Sequence, residues 1–120
     1  MNWVVRLHED FEPELVELSK AVRGEILAHM ALLREYGPRL GRPWVDTLKG
    51  SEHPNMKELR FKADRGVWRV TFAFDTRRQA IVLLAGNKAG VSEARFYQQL
   101  IEKSDARFSR HLAHLKQEKE

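Results

Sequence analysis

The chain has 120 residues, 42% of them hydrophobic and 32% charged, no cysteine and a formal net charge of +4. That length supports one core and a single domain over residues 1–120. Absent thiols exclude disulfides, thiolate nucleophiles and cysteine-held metals, and no apolar run approaches the roughly 18 residues of a membrane span. The first residues lack the apolar stretch of a secretory leader, so a cytoplasmic protein is expected.

In chain order, Trp3-Val4-Val5-Arg6-Leu7 is a short β-prone run, expected at the edge of a sheet. A helix is predicted from Asp10 onwards, with acids in its first turn and Pro13 where a missing N–H costs little. Leu15, Leu18, Val22, Ile26, Met30 and Leu33 then recur at three- and four-residue spacing, which predicts one amphipathic helix. It should stop at Tyr36-Gly37-Pro38, where Gly37 can take a left-handed cap. Gly24 inside this helix suggests a close packing contact. Residues 37–55 form a connector rich in Gly and Pro, with Trp44, Val45 and Leu48 expected to pack down.

From Lys57 to Lys88 the pattern predicts three successive short strands, broken at Ala63-Asp64-Arg65-Gly66 and at Asp75-Thr76-Arg77-Arg78-Gln79. Breaks this short suit antiparallel neighbours, and the first suits a turn needing positive φ. Alternation puts Leu59 and Phe61 on one side of the first strand and Glu58, Arg60 and Lys62 on the other. In the second strand Trp68, Val70, Phe72 and Phe74 oppose Val67, Arg69, Thr71 and Ala73. Trp68 and Phe72 read as core. The third strand, Ile81-Val82-Leu83-Leu84-Ala85, is apolar throughout and reads as central or covered on both faces. A second helix follows, with Ser92 as its N-cap and Phe96, Leu100, Phe108, Leu112 and Leu115 on its inner side. Residues 116–120 read as a frayed tail.

The order is β-α-β-β-β-α. The expected class is α+β, a small, mainly antiparallel sheet covered on one face by two helices. The opposite face would stay open and basic, because residues 57–88 hold eight Lys and Arg against three acids. Clustered arginines suit a phosphate backbone, although arginine also serves simply to solvate an exposed strand face. Five histidines are present, and His111 and His114 stand three apart on a predicted helix. Nearby acids are not arranged to complete a metal site with them. No nucleotide-binding or hydrolase signature occurs.

The sequence resembles the RelE/ParE superfamily of bacterial toxins, in its HigB-like, phage-related branch. The resemblance rests on Leu40-Gly41-Arg42-Pro43, Leu48-Lys49-Gly50, Lys57-Glu58-Leu59-Arg60-Phe61, Gly66-Val67-Trp68-Arg69-Val70 and the run Ile81 to Lys88, in that order. It implies the toxin of a type II toxin–antitoxin system, a ribosome-dependent endoribonuclease (an mRNA interferase) that cuts mRNA by 2′-hydroxyl attack. It also implies a cognate helix-turn-helix antitoxin, with ribosome and mRNA as further partners, and no metal or organic cofactor. Other superfamily members poison DNA gyrase without cutting RNA, and fold alone does not separate the two outcomes.

By the same resemblance the catalytic positions are Arg60, Arg69 and Lys88. The arginines suit the charge that develops on phosphorus, and Lys88 suits proton transfer. Where many relatives have adjacent lysines after the third strand, this chain has Asn87-Lys88-Ala89-Gly90. RNA-contact candidates are Lys57, Lys62, Arg65, Asn87 and Tyr97, the last as a stacking ring or an acid. Alternation sets Lys57 with Leu59, away from the arginines, and Tyr97 borders the apolar stripe of its helix.

Overall fold

A computed structural model describes residues 2–118. Strand β1 (Val5–Leu7) is followed by helices α1 (Phe11–Glu17) and α2 (Lys20–Tyr36) and a 3-10 turn (Gly37–Arg39). Strands β2 (Val45–Thr47), β3 (Lys57–Ala63), β4 (Gly66–Phe74) and β5 (Ala80–Asn87) come next, and helix α3 (Glu93–Glu118) ends the described chain. The five strands form one sheet in the order β1-β5-β4-β3-β2, antiparallel except where β1 runs parallel to β5. The α+β class and the mainly antiparallel sheet therefore hold.

The single long helix expected over residues 10–36 is two helices. Leu18 is extended, and the Ser19 side chain accepts the Val22 N–H at 3.3 Å as an N-cap. Arg23 Nη1 reaches back to the Val16 and Leu18 carbonyls, which α1 leaves unpaired at its end. A serine that bonds its own backbone offers the chain this alternative to unbroken helix. At the far end of α2, Gly37 has φ +57°, and a Cβ there would fall 2.3 Å from the Trp3 indole. By contrast, nothing lies within 4 Å of a Cβ built on Gly24, so no close contact explains that glycine.

Inside the expected connector, β2 pairs with the start of β3 through Val45 opposite Leu59. Val45 and Leu48 are buried as expected, whereas Trp44 is 44% exposed. The β3–β4 hairpin turns on Asp64 and Arg65, both with positive φ, while Gly66 already pairs with Ala63. Gly66 is needed for space, since a Cβ there would lie 2.6 Å from Trp68 Nε1. That indole nitrogen is buried without a hydrogen-bond partner. Asp75 organises the β4–β5 turn, its Oδ1 accepting the Arg77 and Gln79 N–H groups.

The helices do not share one face of the sheet. Helices α1 and α2 cover Leu59, Val70, Phe72 and Val82 with Phe11, Val22, Ile26 and Leu33. Helix α3 lies on the opposite face, packing Phe96, Leu100 and Phe108 against Ala73, Ile81 and Leu83. This corrects the expected open basic face. Its physical reason is visible in the polar residues themselves, which meet partners on α3. Thr71 Oγ1 lies 2.7 Å from Ser104 Oγ, both fully buried. An irregularity at Thr71/Phe72 leaves Leu83 unopposed by β4, and its carbonyl accepts from Arg107 Nη1 at 2.7 Å. Strand β5 is covered on both sides, as its uninterrupted apolar run implied. Ser92 caps α3 as expected, with the Arg95 N–H donating to its Oγ at 3.3 Å. Residues 116–118 are helical, and the rest of the expected frayed tail lies outside the described residues.

Candidate nucleic-acid interface

Arg60 on β3 and Arg69 on β4 stand directly opposite one another in the antiparallel register. Directly opposite residues project to the same side, so both lie on the face that carries α3. Their environments differ. Arg60 keeps 37% of its side chain exposed and reaches Asp46 Oδ2 at 3.4 Å. Arg69 is only 5% exposed.

The burial of Arg69 is compensated atom by atom. Nε donates to the Tyr97 hydroxyl at 3.1 Å, and Nη1 donates to the Trp68 carbonyl at 2.9 Å. Glu58 Oε1 lies 3.4 Å from Nε and accepts the Tyr97 hydroxyl proton at 2.8 Å. Glu58, itself 5% exposed, thus forms a closed triad with Tyr97 and Arg69. Burial pushes the Glu58 carboxyl above its ordinary range, opposed by the Tyr97 hydrogen bond and the Arg69 charge. Burial likewise raises the Tyr97 phenol. Among the described residues, Arg69 Nη2 has no hydrogen-bond partner.

Arg69 lines one wall of a cleft of about 390 Å3, together with Arg42, Pro43, Arg60, Lys62 and Val67. Four cations thus converge on one hollow. The cleft opens where β2 begins: beyond Leu59, β3 pairs with β4 on one side and has no strand on the other. Asp46 is the acid beside it, held by Arg42 at 2.9 Å. The Thr47 N–H, then Arg42 and Arg60, keep the Asp46 carboxyl below its usual range.

The remaining candidates divide. Lys62 is exposed and lines the cleft with Arg60. Lys88 follows β5, with its N–H donated to the Val67 carbonyl at 2.8 Å. Its amine stands 3.4 Å from the Glu93 carboxylate. Asn87 serves the backbone, its Oδ1 accepting the Val67 and Ala89 N–H groups at 3.0 Å. Lys57 pairs opposite Phe72 and lines a different hollow, with Leu40, Val45 and Thr47. Arg65 is exposed at the hairpin tip. Tyr97 has both ends of its hydroxyl engaged inside the protein, which leaves no proton for an acid's role without breaking the triad.

Sequence reasoning missed Glu58, Arg42 and Asp46. The signal for Glu58 was present, since it alternates with Arg60 on a strand whose partner carries Arg69. No group of three or more His, Asp or Glu suited to a metal ion occurs among the described residues. His111 is instead bonded to Asp75 Oδ2 at 2.8 Å. No helix of the described chain is long and apolar enough to cross a membrane.

Residues 13–109 match the family described as phage derived protein Gp49-like (DUF891). The chain is similar to two proteins of Mycobacterium tuberculosis. It is 43% identical to "Putative toxin HigB3" over 80% of this chain and 82% of that protein. It is 49% identical to "Putative toxin HigB2" over 73% of this chain, a stretch that spans only 44% of that longer relative. Among solved structures, a mutant of the E. coli toxin RelE in the free state superposes with a TM-score of 0.59 at 16% identity. That match covers 84% of this chain and 99% of the other. RelE in an archaeal RelE–RelB complex from Pyrococcus horikoshii superposes with a TM-score of 0.54 at 22% identity, over 76% and 100% of the two chains. At those identities the structures speak to the fold, and the Gp49-like match and the HigB relatives to descent. The chain belongs to the phage derived Gp49-like family, with HigB-like relatives, and has the fold of RelE.

Proposed function

We propose that this chain is the toxin of a type II toxin–antitoxin pair and that it cleaves mRNA on the ribosome. The observation that carries the reading is the cleft in which Arg60, Arg69, Lys62 and Arg42 converge. In the reaction, a ribose 2′-oxygen attacks the adjacent phosphorus and the 5′-oxygen of the next nucleotide leaves. The products are a 2′,3′-cyclic phosphate and a 5′-hydroxyl. Negative charge accumulates on the phosphorane, and fixed guanidinium groups stabilise it without reorganising. Arg69 is the group held for that task, and Arg60 opposite it supports the same phosphate. Lys88 is assigned to proton transfer, and Lys62 and Arg42 to the flanking backbone. A small helix-turn-helix antitoxin neutralises the protein, the ribosome and mRNA are its cytoplasmic targets, and no metal enters the scheme.

The test is induction in cells with mapping of transcript 5′ ends. New ends inside translated frames, absent when translation is blocked, are the expected result.

A second reading keeps the cleft and drops the chemistry, so that the protein grips a target such as DNA gyrase. One observation favours it. Both proton-transfer candidates are engaged within the protein, Lys88 by Glu93 and Tyr97 by Glu58 and Arg69. Growth arrest with intact transcripts would select this reading.

A further inference from the structure

We infer that Glu58 and Tyr97 are positioning residues that fix the Arg69 guanidinium for an incoming phosphate. This rests on the nuclease reading for its kinetic consequences, but its structural content does not. An arginine side chain has rotamer freedom to spend, and an anion site built on it gains from having that freedom removed beforehand. Here the fixing is done at Nε and Nη1. Nε meets the Tyr97 hydroxyl and the Glu58 carboxylate, and Nη1 meets the Trp68 carbonyl. Nη2 is left over, on a residue that lines the cationic cleft.

Glu58 is not placed to act on substrate itself. It is 5% exposed, it is not among the residues that line the cleft, and its Oε1 is occupied by the Tyr97 hydroxyl. The Tyr97 oxygen in turn accepts from Arg69 while its proton goes to Glu58. Chemistry at either residue would dismantle the arrangement that holds the arginine. Glu58 also balances a charge that burial alone would make costly. The three residues come from β3, β4 and α3, so the helix that closes this face of the sheet also completes the anion site.

Two measurements together test this, on the full chain with Tyr97→Phe, Glu58→Gln and Glu58→Ala. The first follows the Arg69 Nε–Hε resonance by 15N NMR, alone and with a 2′-deoxy RNA oligonucleotide that cannot be cut. The second separates kcat from KM for cleavage on programmed ribosomes. In the wild type the resonance should be protected and should shift on adding the oligonucleotide. Tyr97→Phe should lose the protection and lower kcat at least tenfold, with KM changed less than threefold. Glu58→Gln, which keeps an oxygen acceptor, should retain more activity than Glu58→Ala.

An Arg69 signal unchanged in Tyr97→Phe and Glu58→Ala, whatever the activity, would overturn the proposal. So would equal activity in Glu58→Gln and Glu58→Ala. A wild-type chain that cuts nothing would refute the nuclease reading, and the oligonucleotide titration alone would then decide whether Arg69 is held as an anion site.

Discussion

Arg60 and Arg69 are register partners on neighbouring strands, yet one leaves 37% of its side chain in solvent and the other only 6%. The difference comes from α3, which supplies Tyr97 to one arginine and nothing to the other. Two residues that look equivalent in the sequence therefore report different things when removed.

Arg69→Ala should damage both fold and function. It strips a buried carboxylate of its partner, and breaking such a pair from one side costs about 3–5 kcal/mol. Arg60→Ala removes only a solvent-screened pair with Asp46, and such pairs contribute little to stability. Chemical denaturation of the two variants should show this gap. Arg60→Ala is thus the cleaner probe of activity, and at least a tenfold loss of cleavage in a normally stable protein is expected.

Lys88→Met should resemble Arg60→Ala, because the ion pair with Glu93 sits at a surface where such pairs contribute little. Thermal stability should stay within a few degrees of wild type, and cleavage should fall at least tenfold. Unchanged cleavage would remove Lys88 from the chemistry.

Thr71 and Ser104 carry a fully buried hydroxyl pair between β4 and α3. Thr71→Val should cost about 1–3 kcal/mol, because it leaves the buried Ser104 hydroxyl unpaired, whereas Ser104→Ala should cost less, because Thr71 Oγ1 keeps the Leu84 carbonyl at 3.4 Å. The double variant should cost less than the sum. Equal and additive losses in a double-mutant cycle would mean that the two hydroxyls do not share a bond.

This pair also shows where sequence reading reached its limit. The alternation of Trp68, Val70, Phe72 and Phe74 located one apolar face, and the all-apolar run of β5 signalled cover on both sides. Yet Arg60, Arg69 and Thr71 read as a solvated face. Alternation separates polar from apolar residues, but it does not distinguish a polar group meeting water from one meeting a partner distant in sequence. Tyr97 and Ser104 lie 28 and 33 positions beyond their partners. Strand β2 was hidden for a similar reason, since three residues held by pairing to β3 carry no local pattern of their own. The break at Ser19 was masked by an apolar periodicity that runs on through it.

Acid should weaken the fold through His8. Burial lowers its pKa; the Asp10 charge is the next largest effect and opposes this, while the smaller Arg110 and Arg107 charges lower it further and Glu9 opposes least. The folded pKa therefore lies below the unfolded value of about 6.5. Between the two, the unfolded chain binds more protons, so stability falls as pH drops below about 6.5. Its Nδ1 accepts the Asp10 N–H at 3.1 Å, a bond that an amide oxygen can replace. Urea denaturation from pH 7.5 to 5 should show the slope in wild type and a flatter one in His8→Asn.

The most direct measurement pairs the induced wild-type chain with an Arg60→Ala/Lys88→Ala variant and maps transcript 5′ ends in both. New ends within translated frames that vanish in a folded variant, and when translation is blocked, are the expected result. Growth arrest with unbroken transcripts in the wild type, or equal cleavage by the variant, would contradict a nuclease site in this cleft.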